Sequence, residues 1–202
     1  MKLFLFDFDG VLVESLDVYY GIVRSALEKI NKPLTRGREE FLELFEDNFY
    51  ESLAQRGVDL NEFFAASAGM LADVDYNDMQ PVNAMRDVVE ELQKNNILLV
   101  ISSNSSQTIQ AALEKFKVNG YFQEVLGSDF LLSKKDKIFY ATKKYHIALD
   151  DIYYIGDTTG DIKESRAAGV KTIGITWGWH SKEKWRRPNR IISWRDLKSY
   201  CN

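Results

Sequence analysis

The sequence is poor in the residues that would mark several protein classes. One cysteine in 202 residues excludes a disulfide framework, and Cys201, at the penultimate position, reads as incidental rather than redox-active. Two histidines, His146 and His180, have neither helical spacing nor Cys-x-x-Cys partners, which argues against zinc. Three prolines beside 45% hydrophobic and 28% charged residues exclude collagen-like, low-complexity and disordered chains. No stretch approaches the roughly 18 uninterrupted apolar residues of a membrane span. A single Lys2 precedes a short apolar run that ends in acids with no small-residue cleavage site, a poor signal peptide, so a cytoplasmic location is expected. The net charge of −4 disfavours a nucleic-acid binder and means that an anionic substrate needs local positive charge.

What is present is a set of short apolar, β-favouring runs: LFLF before Asp7, ILLVISS from Ile97, QEVLGS from Gln123, DIYYIGD from Asp151 and VKTIGIT from Val170. Near-continuous hydrophobicity suits strands covered on both faces. Helical patterns at 82–95, 106–117, 135–146 and 159–168 alternate with the later runs. Strand alternating with helix predicts an α/β fold, a parallel sheet with right-handed crossovers. From about Ser15 to Gln80 helical spacing takes over: Leu16, Tyr19, Tyr20, Val23, Leu27 and Ile30, then Phe41, Leu44, Phe45, Phe49 and Leu53, recur at three and four. Pro33 and Gly57 divide this interval into about three helices, and Pro81 is expected to help start the next sheet-covering helix. The expected organisation is a core of residues 1–14 and 81–202 with a helical insertion at 15–80, a length that suits one domain with a smaller insertion.

Two acidic pairs end two of the apolar runs. In LFLFDFDGVLVES, Asp7 and Asp9 project to one side at the carboxyl end of a strand, with Phe8 opposite. That end of a parallel sheet is where ligands bind, and Gly10 permits a sharp turn after it. Two neighbouring carboxylates repel unless a cation is present, and a hard divalent ion such as Mg²⁺ takes oxygen ligands. In YYIGDTTGD, Asp157 ends another strand and Asp161 follows one helical turn later, with Gly156 and Gly160 letting the loop approach a metal or substrate. Each pair alone has a plain alternative, since Asp often caps a helix after a strand.

DFDGVLVES resembles the first motif of the haloacid dehalogenase superfamily of phosphatases, and GDTTGD resembles its fourth. ISSN resembles the second motif and LLSKKDK stands where the third-motif lysine is found. The late stretch GVKTIGITWGWHSKE and the helical insertion resemble the phosphoglycolate phosphatase-like branch with its helical cap. The resemblance implies a Rossmann-like three-layer core under an α-helical cap. It implies a Mg²⁺-dependent phosphatase hydrolysing a small phosphate monoester such as phosphoglycolate or a sugar phosphate. Asp7 would be the nucleophile that forms an aspartyl-phosphate, and Asp9 the acid that protonates the leaving alcohol and later activates water. Mg²⁺ would be held by Asp7, the backbone carbonyl of Asp9 and Asp157, with Asp161 ordering the coordination shell.

Ser103, with Asn104 through its backbone amide, is the implied phosphoryl-binding residue, and helix capping is its alternative. Lys134 is the implied third-motif lysine. Relatives usually carry Lys-Pro-x-Pro there, so Lys135 and Lys137 remain open, as does a solvated helix start.

Trp177, Trp179, Trp185 and Trp194 are expected to pack the carboxyl-terminal segment on the core, and the basic stretch 182–190 to be solvated. Arg24, Arg36, Arg38 and Arg56 are candidate contacts for a substrate carboxylate or phosphate. The expected partner is a small phosphorylated metabolite, without nucleic acid or membrane, and the chain is expected to be a monomer or homodimer. A phosphosugar mutase of the same superfamily shares the four motifs. A receiver-type phosphoacceptor module is the alternative from another class, but there the acceptor Asp ends a later strand and no helical insertion follows the first. A dehalogenase proper is disfavoured by the acid at Asp9.

Overall fold

A computed structural model describes residues 1–72, 79–83, 85–185, 190–192 and 194–197. Cys201 and residues 186–189 of the basic stretch lie outside the described residues, as does the side chain of Trp194. The main sheet orders its strands β5-β4-β1-β6-β7-β8. These are β1 (Leu3–Phe6), β4 (Ile97–Ile101), β5 (Glu124–Leu126), β6 (Ile152–Gly156), β7 (Lys171–Ile175) and β8 (Arg190–Ile192), every pairing parallel. β1 is central, with Leu3 in register with both Ile97 and Ile152.

Alternation along β1 explains its unbroken hydrophobicity, because each face is covered by different helices. Phe4 and Phe6 pack with Val88, Val89 and Leu92 of α5 (Met85–Gln93) and with Ile109 and Leu113 of α6 (Ser106–Lys115). Leu3 and Leu5 face Ile138 and Ala141 of α7 (Lys134–Tyr145). α8 (Thr159–Ala167) follows β6, and α9 (Trp194–Leu197) closes the described chain. Among the described residues no helix is long and apolar enough to cross a membrane.

Between β1 and α5 the described residues build four helices where about three were expected: α1 (Leu16–Lys29), α2 (Arg38–Glu43), α3 (Phe49–Gln55) and α4 (Leu60–Ala72). The extra break falls inside the Phe41 to Leu53 stripe. Asn48 accepts from Tyr50 N and Glu51 N at 3.1 and 3.2 Å and so starts a new helix. The expected spacing still holds in three dimensions, since Tyr19, Val23, Leu27, Phe41, Phe45 and Leu53 share one buried cluster. The insertion leaves and returns through a short antiparallel pair, β2 (Val13–Glu14) with β3 (Gln80–Pro81). Pro81 is therefore a strand residue and α5 begins only at Met85, a correction to the expected role of that proline.

Candidate functional site

The carboxyl ends of β1, β4 and β6 converge under the insertion, and there the four acids meet. Asp7, Asp9, Asp157 and Asp161 are all buried, as is Lys134 at the first turn of α7. The turn that brings Asp7 and Asp9 together needs Gly10: its φ is +75°, and a Cβ would lie 2.3 Å from Asp157 Oδ2.

Three of the acids form one group and the fourth stands apart. Carboxylate oxygens of Asp7, Asp157 and Asp161 all lie within 4.8 Å of one another. Asp9 is held instead by the hydroxyl of Ser15, which donates to Oδ1 at 2.6 Å, and Ser102 Oγ lies 3.4 Å from its Oδ2. Lys134 Nζ donates to Asp7 Oδ2 at 2.7 Å and to Asp161 Oδ1 at 2.6 Å. Of the three lysines left open by the sequence, Lys134 is the one whose amine reaches these acids. Lys137 Nζ, fully buried, donates to the Ser102 carbonyl at 2.6 Å, and burial with Lys134 nearby lowers its amine to about 7. The Lys135 amide donates to Glu164 Oε1 at 3.2 Å.

Asp161 has its oxygens fully engaged. Oδ1 accepts from Lys134 and from Tyr154 Oη at 3.0 Å; Oδ2 accepts from Asp157 N, Thr158 N and Thr158 Oγ1 at 3.2, 3.0 and 2.8 Å. It completes a capping box with Thr158 at the start of α8, so helix capping and site formation coincide in one residue. Asp157 differs. Its Oδ2 accepts from Trp179 N at 2.5 Å, whereas its Oδ1 is buried and has no partner.

The electrostatics follow from this geometry. Burial raises the Asp7 carboxyl to about 8 despite the pull of Lys134, and burial with Asp161 and Asp7 alongside drives Asp157 well above the usual range. Asp161 is lowered, because Lys134 and Thr158 outweigh its burial. For Lys134, burial is overcome by Asp161 and Asp7, which hold its amine well above the ordinary value. One ammonium thus faces three clustered acids. With an orphaned oxygen on Asp157 and hard oxygen donors only, this set fits a divalent cation such as Mg²⁺.

Other residues are placed as follows. The serine hydroxyl near Asp9 is that of Ser102, one residue before Ser103. Ser103 lines the same cavity, and its carbonyl accepts from Tyr50 Oη at 2.6 Å. Ser103 does not cap α6; Ser105 does, accepting from Thr108 N at 3.2 Å, while Ser106 N donates to Asp129 Oδ1 at 2.7 Å. The Asn104 amide donates to Ser102 Oγ at 3.0 Å, so its backbone N–H is committed within the loop, and its side-chain Nδ2 is buried without a partner. The four arginines of the insertion are engaged with acids: Arg24 with Glu28, Arg36 with Glu43, Arg38 with Asp17 and Arg56 with Glu40. They do not line the cavity at the acids.

The insertion sits directly on the site. Trp179 leaves the core to pack in the aromatic cluster of the insertion, its ring 4.9 Å from that of Phe45. Trp177, as expected, packs on the core. Gly160 N donates to Phe45 O at 2.9 Å, and a Cβ on Gly160 would lie 2.3 Å from Asp47 O. This glycine therefore admits the insertion backbone rather than a metal or substrate. His180 accepts from Thr159 N at 3.1 Å through Nδ1, which leaves its Nε2 to donate to Leu42 O at 2.9 Å. Above the acids remains a cavity of about 10 Å³, the room of a single water.

Comparison with known proteins agrees with this architecture. A model of the haloacid dehalogenase-like hydrolases matches residues 4–175. Similar proteins include the phosphoglycolate phosphatase of Pseudomonas fluorescens strain Pf-5, 26% identical over 195 residues, covering 89% of this chain and 71% of that one. The phosphoglycolate phosphatase of Synechococcus elongatus is 23% identical and covers 91% of this chain and 87% of its own length. Among solved structures, a predicted phosphatase from Clostridium acetobutylicum superposes with a TM-score of 0.84 at 21% identity, covering 98% and 97% of the two chains. A hydrolase from Pseudomonas syringae gives a TM-score of 0.81 at 18% identity, over 96% and 94%. From the parallel sheet, the acids at its carboxyl end and a family match spanning most of the sequence, the chain belongs to the haloacid dehalogenase-like hydrolases.

Proposed function

We propose that this protein is a Mg²⁺-dependent phosphatase acting on a small phosphate monoester through an aspartyl-phosphate, with residues 15–80 as a cap over a core of 1–14 and 81–202. The observation that carries the proposal is the separation of the acids into two environments: Asp7 clustered with Asp157 and Asp161, and Asp9 held apart by Ser15. Two carboxyls in different surroundings serve different roles.

In this reading a carboxylate oxygen of Asp7 attacks phosphorus, and the bond from phosphorus to the leaving oxygen breaks as Asp9 gives that oxygen its proton. Burial raises the Asp9 carboxyl, which favours the protonated form that this step needs. Asp9 then takes a proton from water, whose oxygen attacks phosphorus. The bond to Asp7 breaks, inorganic phosphate leaves and the free carboxylate returns. Lys134 holds Asp7 in place and supplies positive charge to the phosphoryl oxygens, and Ser102 and Ser103 border the space for them. Asp7, Asp157 and the Asp9 carbonyl would hold Mg²⁺, with Asp161 supporting them, and the ion would neutralise charge on the transferring group. The cap, closed over a space of about 10 Å³, must swing away to admit substrate and then exclude bulk water.

Phosphate release from para-nitrophenyl phosphate and a metabolite panel, with and without Mg²⁺, tests this reading. Asp7→Asn is expected to abolish release while circular dichroism stays native. Turnover retained in that variant refutes the nucleophile.

A further inference from the structure

Beside the acids lies a second cavity, of about 220 Å³, between the insertion and the loop after β4. Tyr19 and Ser103 line both spaces, so the second cavity adjoins the one at the acids. The lining is apolar and aromatic, with Ile22, Val23, Phe63 and Phe64 from α1 and α4. Its polar groups are hydroxyls and Asn104, whose buried Nδ2 has no partner at full hydrogen-bond geometry although its side chain also acts on the Asp9 carboxyl. No charged side chain lines it among the described residues.

The sources of positive charge nearby are engaged elsewhere. Arg24, Arg36, Arg38 and Arg56 each pair with an acid away from this cavity, and Lys134 is held by Asp7 and Asp161. A carboxylate brought into such a cavity gives up hydration and gains no cation in return. An uncharged group loses nothing comparable and gains apolar contact.

Resting on the phosphatase reading, we propose that the substrate is a phosphate monoester of an uncharged alcohol with an apolar or aromatic body, and that phosphoglycolate, named for the relatives, is a poor substrate of this chain. The body lies on Phe63, Phe64 and Val23, and Asn104 Nδ2 donates to a hydroxyl, ether or carbonyl oxygen near the ester. The size fits: a dry apolar cavity of about 150 Å³ takes a benzene ring, so about 220 Å³ takes a ring with a few further atoms.

The test uses matched esters that differ in charge. The kcat/KM of benzyl phosphate is expected to exceed that of its 4-carboxy analogue by at least about 10-fold, and propyl phosphate to exceed phosphoglycolate in the same sense. Phe64→Arg places a cation at the mouth, where Phe64 is 36% exposed, and should narrow or invert both ratios. Equal or reversed ratios in the unaltered protein overturn the proposal. Calorimetry with benzyl alcohol and 4-carboxybenzyl alcohol ranks the cavity without turnover. Tighter binding of the neutral alcohol supports the proposal, and equal or reversed binding overturns it, even if no ester is hydrolysed and the phosphatase reading itself fails.

Discussion

Ser102 and Ser103 are adjacent and chemically identical, yet the fold gives them different work. The Ser102 side chain is buried between Asp9 and the Asn104 amide, and its carbonyl accepts from Lys137. Ser103 contributes its carbonyl to Tyr50. Ser102→Ala is therefore expected to lower kcat/KM for phosphate release by about 10-fold or more, the scale of losing one polar group at a reacting centre. Ser103→Ala, which spares the carbonyl, should stay within about 3-fold. Steady-state kinetics on both variants decides the assignment, and the reverse order returns the role to Ser103. A run such as ILLVISSN reveals that a hydroxyl ends the strand. Which of two successive serines turns inward depends on where β4 stops, at Ile101, and that is set by pairing with β5 up to Leu126.

At the scale of the element, Glu40 ties the start of α2 to α3. It accepts from Thr35 N at 2.6 Å and Arg36 N at 2.9 Å, and it pairs with Arg56 just after α3. Burial alone would raise this carboxyl, but hydrogen bonds from Arg36, Arg56 and Thr35 hold it at about 2, against an ordinary 4.5. A carboxyl depressed in the folded state stabilises above its unfolded pKa and loses that contribution as pH falls through the folded one. The insertion should therefore weaken between about pH 5 and pH 2, by on the order of 2 kcal/mol from this group. Glu40→Gln should lower Tm near neutrality, and its deficit against the unaltered protein should shrink in acid. A deficit constant with pH would contradict it.

The same interval shows where sequence reading stops. Its helical periodicity was legible because burial demands it, and so were five strands of the main sheet, whose covered faces leave few polar positions. The two-residue strands β2 and β3, and β8, carry too few residues for any period. The break at Asn48 arises from a cap that interrupts a stripe otherwise continuous in sequence. The arginines read as substrate contacts until their acid partners are seen, since i,i+4 pairs such as Arg24–Glu28 look alike whether or not a ligand is near. The acids at strand ends were legible as a set because apolar runs cannot end in charge without a reason. Asp161's bond to Tyr154 and the orphaned oxygen of Asp157 are matters of geometry alone.

For the molecule as a whole, the concentration of buried negative charge predicts that a divalent cation stabilises the fold. At 100 times its Kd a ligand adds about 2.7 kcal/mol, or roughly 5–10 °C in Tm for a chain of this size. Thermal unfolding with Mg²⁺ against chelator should show such a shift, and Asp157→Asn should abolish it. An unchanged Tm in the unaltered protein would contradict the cation site.

The sheet order also carries a consequence for how the chain is made. β1, the middle strand, finds its partners only after residues 97–101 and 152–156 exist, with the whole insertion intervening before the first of them. At about 5–20 residues per second, the interval between its synthesis and that of β6 is on the order of ten seconds. Over that time LFLF is an apolar strand with two open edges, the kind of segment that seeks pairing with other chains. The local contacts of α1 to α4 form early, and the long-range pairings that build the sheet come last, so recovery of native protein should be more sensitive to the nascent chain's surroundings than the finished fold's stability would suggest.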